Sequence, residues 1–256
     1  MSSSPLTWNI LPEYQTNTPP TASNVYYYKC DITSPTTISS IASQIRKVVG
    51  DPTIIINNAG VARGKSILDA SEKDVRFTFE VNSLAHYWIV KEFLPSIVKH
   101  NHGMVVTVAS IAAYVTVPNM VDYAATKAAA LAFHEGLTAE LTTRYDAPKV
   151  RTVVVNQGYT KTPLFEGYNS DSKFLAPALE VDTVAESIVK QVLSGHSGQV
   201  ILPGFANFLT FFKGLPHWYQ KRARSQGGSH MMKWNGRQVL DLEKWNREEG
   251  SGGESA

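Results

Sequence analysis

SIAAYVTVPNMVDYAATK, residues 110–127, decides how the rest of the chain reads. It holds Ser110, then Tyr123 thirteen positions on, then Lys127 four positions later. The apolar run MVVTVA, residues 104–109, leads into Ser110 and predicts a buried strand. Residues 122–141 are rich in Ala and Leu and predict a long helix. Ser110 would then stand at the C-terminal end of a strand, where open α/β sheets take their ligands. Tyr123 and Lys127 would share one helix face, a single turn apart. A tyrosine hydroxyl titrates near pH ~10 and is a poor base at neutral pH. Lowering it by about 2–3 units takes roughly 3–4 kcal/mol. One ammonium ~4 Å away supplies about that at an effective dielectric near ~20, so the chemistry needs no metal. By itself, Tyr-x-x-x-Lys is a common accident on a solvated helix. Ser110 upstream, at the end of a buried run, is what turns the pair into a site.

With NNAG at positions 57–60 and with Asn82, the three residues resemble the short-chain dehydrogenases/reductases. The tail brings the resemblance nearest to the branch of retinol and 17β-hydroxysteroid dehydrogenases. It covers roughly residues 25–236, leaving an irregular segment at 1–24 and a tail at 237–256. It implies a single doubly wound parallel α/β sheet of Rossmann type. It also implies hydride exchange between NAD or NADP and a lipophilic alcohol, ketone or aldehyde. Tyr123 would be the general acid/base and Ser110 would hold the substrate oxygen. Lys127 would lower the Tyr123 pKa and bind the nicotinamide ribose. Asn82 would hold a water at a local helix distortion and extend a proton relay. The family forms dimers, and helices at 71–100 and 122–141 would carry that contact.

Composition sets the bounds. The 256 residues suit one α/β domain. A net charge of +2 gives no argument for nucleic acid. Cys30 is the sole cysteine, so no internal disulfide can form and a reducing compartment is permitted. No apolar stretch approaches the ~18 residues of a spanning helix. Residues 1–20 lack the basic start and apolar core of a signal peptide. The expected location is the cytoplasm, or the periphery of an endomembrane or lipid droplet.

In chain order, VYYY at 25–28 is β-prone. Ser34 and Pro35 open a helix to about Val49 as N-cap and first residue. Asp31 matches the family's adenine contact; a turn or cap role is the other reading. The apolar run at 53–56 predicts a central parallel strand ending in Asn58, Ala59 and Gly60. By resemblance those three lie along the cofactor, with Asn58 also steadying the sheet. Ser71 and Asp74 have the spacing of a capping box and start a helix to about His100. Lys91 on that helix would reach a cofactor phosphate or simply be solvated. Residues 150–156 predict a further buried strand. The family then has Pro-Gly and a threonine four residues on. Gly158 and Thr162 match, Thr160 lies between, and Gln157 replaces the proline, which weakens the loop's rigidity but not its position. Phe165, Tyr168 and Phe174 fall in a segment like the family's substrate lid. A helix at 182–193 and a strand at 199–202 follow. Residues 205–224 then set aromatics beside Lys221, Arg222 and Arg224. That pattern suits a membrane-surface helix, a pocket wall or a subunit contact.

One element of the pattern is missing. No glycine-rich turn of the G-x-x-x-G-x-G kind lies upstream of Asp31. Such a turn, with the helix it opens, receives the cofactor pyrophosphate. The expectation is an N-terminally truncated enzyme whose first βα unit is lost, leaving an open edge on the strand at 53–57. Its alternative is a catalytically silent relative kept as a subunit partner.

Overall fold

The computed structural model describes residues 25–162, 164 and 178–231. The expectations for residues 1–24, for most of the lid and for the far tail lie outside them.

Four parallel strands form one sheet in the order β1-β2-β3-β4. They are β1 Ile54–Asn57, β2 Gly103–Val108, β3 Val150–Gln157 and β4 Gly198–Leu202. Helices lie between them, as parallel connection requires. The first, α1 (Pro35–Val48), is capped as its sequence predicts: Ser34 accepts the Thr37 N–H and Pro35 fills the first turn. Between β1 and β2 run α2 (Glu72–Phe79), a π-helical turn at Glu80–Leu84, and α3 (Ala85–His100). The Ser71/Asp74 capping box is formed on both sides. After β2 come a short 3₁₀ turn, Ile111–Ala113, and α4 (Val121–Thr143). After β3 come α5 (Val181–Leu193), then a 3₁₀ segment at Gly204–Gly214 and α6 (His217–Met231).

Two layers of apolar side chains hold the sheet. On one face Ile55, Val105 and Val150 pack with Ala42 of α1, Val90, Phe93 and Ile97 of α3, and Leu137 and Leu141 of α4. On the other, Met104, Val106, Val108, Val153 and Val155 meet Ile188 and Val192 of α5. Burial on both faces explains why β2 and β3 read as nearly unbroken apolar runs.

One sequence expectation changes, and one local distortion that the resemblance implied is found. Residues 25–28 do not form a strand; Val25 and Tyr26 are exposed, and among the described residues no strand lies beside them to take up their backbone groups. The helix at 71–100 is interrupted by the π turn that contains Asn82. Among the described residues β1 is an edge strand, with Ile54 44 % and Ile56 51 % exposed.

Candidate active site

All three loops that leave the C-terminal ends of β1, β2 and β3 converge on one corner. Ser110 follows β2 directly. Its Oγ accepts the Ala112 N–H at 3.1 Å and donates to the Gln157 carbonyl at 3.2 Å. The residue that replaces the family's proline thus ties the loop after β3 to Ser110. Gly158 closes against β4: its N–H donates to the Leu202 carbonyl at 2.7 Å. Thr160 is buried and hydrogen-bonds the Gly158 carbonyl at 3.3 Å; Thr162 follows, half-buried.

Tyr123 and Lys127 sit on the first turns of α4, both buried. A hydrogen bond joins the Ser110 and Tyr123 side chains. The Lys127 Nζ lies 5.7 Å from the Tyr123 ring centre and donates to the Val108 carbonyl at 2.8 Å. Burial pushes the Tyr123 phenol up to about 12, against the pull of Ser110, and pushes the Lys127 ammonium down to about 8. This reverses the shift expected from sequence. Both groups are withdrawn from water, so burial disfavours phenolate and ammonium together. The ammonium is also bound to a backbone carbonyl rather than spent on the phenol alone.

Asn82 locks the site from below. Its Oδ1 accepts the Val61 N–H at 2.7 Å, and its Nδ2 donates to the Val61 carbonyl at 2.8 Å and to Thr126 Oγ1 at 3.0 Å. Thr126 in turn donates to the Tyr123 carbonyl at 2.7 Å. The π turn therefore places an amide where it clamps the loop after β1 and touches the Tyr123 turn. Gly60 lies against both side chains: a Cβ there would stand 3.6 Å from Asn82 Oδ1 and from Lys127 Nζ, an ordinary contact distance. Ala59 is half-buried beside it, whereas Asn58 is exposed and it is Asn57 that points into the protein.

The remaining candidates lie apart. Asp31 accepts from the Thr33 N–H and hydroxyl at 2.9 and 2.7 Å, the turn-capping role. Lys91 is on the exposed side of α3, its Nζ 5.9 Å from the Trp88 ring. Sequence reasoning missed Thr126 and Arg63. Arg63 is buried after the β1 loop, 3.4 Å from Asp74 and 4.8 Å from the Phe77 ring. Burial would raise the Asp74 carboxyl, but hydrogen bonds from Lys65 and Ser71 outweigh it and hold it at about 2. A polar residue three places after Tyr123 was the only sequence signal for Thr126.

A short chain dehydrogenase family model matches residues 11–173. The chain belongs to the short-chain dehydrogenase family. It is 52 % identical over 129 residues to Dehydrogenase RED3 of Cochliobolus heterostrophus, covering 50 % of this chain and 66 % of that protein. It is 37 % identical over 194 residues to human 17-beta-hydroxysteroid dehydrogenase 13, covering 74 % of this chain and 62 % of that protein. The chain thus spans between half and two thirds of such relatives, with 50 % of Dehydrogenase RED2 as the low figure. Among solved structures, a Burkholderia cenocepacia short chain dehydrogenase in complex with NADP aligns with a TM-score of 0.65 at 25 % identity, over 79 % of this chain and 82 % of that one. An alcohol dehydrogenase of Thermococcus sibiricus complexed with 5-hydroxy-NADP aligns at 0.60 and 22 %, over 70 % of this chain and 74 % of that one.

Proposed function

We propose that this chain carries the active site of an NAD(P)-dependent oxidoreductase that interconverts a lipophilic alcohol and its ketone or aldehyde. The observation that carries this reading is the meeting of Ser110, Tyr123 and Lys127 at the buried C-terminal end of β2. Ala62, Met120 and Tyr123 pack with Val117 and Leu164 beside it, an apolar wall suited to a lipophilic substrate.

The residues fit the nicotinamide end of the cofactor. Lys127 would hold the ribose, while Ala59, Gly60, Gly158, Thr160 and Thr162 edge the same corner. Among the described residues no glycine-rich turn opens a helix for the pyrophosphate. The cofactor supplies the hydride acceptor or donor. The rest falls to this chain. In reduction, Tyr123, protonated at neutral pH, donates its proton to the carbonyl oxygen and is left as the phenolate; oxidation runs the step in reverse, the phenolate taking the alcohol proton. Ser110 hydrogen-bonds that oxygen and stabilises the charge it develops. The Lys127 ammonium, 5.7 Å from the ring centre, stabilises that phenolate, and Asn82 fixes the helix turn from which the proton path leaves. The names of the relatives and the NADP in the Burkholderia cenocepacia neighbour support this reading. A screen of NADH and NADPH oxidation with retinoid, steroid and simple ketone substrates tests it: turnover of at least one lipophilic carbonyl is expected, and none across the panel would refute it.

We propose two contacts as well. Leu84 at the end of the π turn and Tyr87 at the start of α3 are 41 % and 44 % exposed, which supports a homodimer through α2–α3 and α4. Phe208 and Phe211 are 79 % and 74 % exposed and Trp218 is 69 % exposed, next to Lys213, Lys221 and Arg222. Apolar rings rimmed by cations suit peripheral contact with an anionic lipid surface. Among the described residues no helix is long and apolar enough to cross a membrane.

A further inference from the structure

Beneath the site lies a group of buried polar side chains that the mechanism above does not use. Asn57 and Thr107 are paired across β1 and β2, 3 % and 0 % exposed. They share the face covered by α3 and α4, because Ile55 and Val105, two residues earlier on each strand, pack there against Val90. Helix α3 runs antiparallel to β2, ending at His100 just before β2 begins at Gly103. One turn back from Val90 is His86, about 6 Å along the helix. Two residues forward from Val105 is Thr107, about 6.6 Å along the strand. The imidazole of His86 therefore occupies the layer of Asn57 and Thr107. It is 2 % exposed, with its edge against Phe133 of α4 at 6.0 Å between ring centres.

No side-chain nitrogen or oxygen of these three residues has a protein partner: Nδ1 and Nε2 of His86, Oδ1 and Nδ2 of Asn57, and Oγ1 of Thr107. Leaving a buried polar group without a hydrogen bond is costly, and buried polar groups without protein partners are the ones that ordered water satisfies. Lys127 reaches the same layer, since it donates to the carbonyl of Val108, next to Thr107. It is close enough to act on the imidazole, and burial together with that ammonium brings His86 down to about 3, so the ring is neutral. Ile55 and Asn57 of β1 and Val105 and Thr107 of β2 alternate onto the face that α3 covers, none of them charged, and Lys127 is the charge that acts on the ring.

We propose that His86, Asn57 and Thr107 enclose ordered water that hydrogen-bonds the Lys127 ammonium, making His86 a positioning residue for Lys127. A neutral imidazole accepts from water at one nitrogen and donates at the other, so it orients the water's lone pair toward an ammonium with donors to spare. His86 lies four residues after Asn82, so the π turn that sets the Asn82 clamp also sets the angle of the ring. The catalytic part of this proposal rests on the oxidoreductase reading; the water site does not.

Two readouts separate them. In the cofactor-free full chain, water-to-protein cross-relaxation in NMR is expected at the ring protons of His86 and the methyl of Thr107. It should vanish at Thr107 in His86→Phe and persist in His86→Gln. With a substrate in hand, His86→Phe should lower kcat about 10- to 100-fold through misplacement of Lys127, leave KM unchanged and move the basic limb of the pH profile, and His86→Gln should restore most of both. Absence of bound water at His86 in the wild-type chain would overturn the proposal without touching the proposed function. Water present, but a His86→Phe profile unmoved in kcat and pH, would overturn the positioning role. If His86→Phe does not fold, the wild-type cross-peaks and the Gln variant still decide. A chain that turns over nothing yet shows the water would refute the enzyme reading alone.

Discussion

Asn82 holds the backbone of Val61 with both ends of its amide, accepting the N–H at 2.7 Å and donating to the carbonyl at 2.8 Å. A side chain that imitates a strand neighbour in this way fixes the loop after β1 against the helix that follows it. Replacing Asn82 with Ala should cost about 2–4 kcal/mol, because it leaves two buried backbone groups of Val61 without partners. Denaturant unfolding of both proteins measures this; a difference within about 0.5 kcal/mol, the range of ordinary surface changes, would show that water replaces the amide.

Acid should destabilise the fold through two buried histidines. Burial holds His134 at about 4, and burial with the Lys127 charge holds His86 at about 3. Both lie below the ordinary value near ~6.5, so the unfolded chain binds these protons first. Their stabilisation is complete above that value and is lost as pH falls toward 4 and then 3. Each contributes a slope of about 1.4 kcal/mol per pH unit between its two pKa values. Urea unfolding at pH 6.5, 5.5 and 4.5 should show that decline, and His134→Leu should remove about half of the histidine slope.

Gly103 opens β2 at a φ of +141°, and a Cβ there would stand 2.7 Å from the Thr53 carbonyl and 3.1 Å from Ile97. Gly103→Ala should cost about 2–4 kcal/mol from backbone strain and overpacking together. Thermal unfolding gives the number, and an unchanged Tm would mean that the start of β2 shifts freely.

On the lipid surface, replacing Phe208, Phe211 and Trp218 together by Ser should abolish co-sedimentation with vesicles of phosphatidylcholine and phosphatidylserine and leave the Tm unchanged, since all three rings are exposed. Binding to neutral vesicles alone, or no loss on substitution, would count against the contact.

Much of the fold was legible in the sequence, for local reasons. Ser34-Pro35 and Ser71/Asp74 announce helix starts because caps are built from adjacent residues. The runs at 104–109 and 150–156 announce strands because burial on two faces leaves no polar alternation. What stayed hidden depends on distant partners. EVNSL carries no breaker, and its π turn coincides with the grip of Asn82 on Val61, twenty-one residues away. Val25 to Tyr28 have β propensity but no neighbouring strand among the described residues. Asn57 and Asn58 differ only in pleat parity, so only the register with β2 shows which is buried. The sequence places Lys127 one turn from Tyr123 but cannot show that its ammonium ends on the Val108 carbonyl. Nor can it show how deeply the Tyr123 phenol is buried, and that burial is why the phenol stands high where spacing alone predicts it low.

The central claim is that the Tyr123 hydroxyl, joined to Ser110 and set one turn from Lys127, moves the proton that accompanies hydride transfer. Its most direct test is Tyr123→Phe, compared with the wild-type chain for NAD(P)H-dependent turnover and, separately, for cofactor binding by fluorescence titration. Turnover should fall at least about 100-fold, with binding and Tm retained. A variant that keeps its turnover would contradict the account.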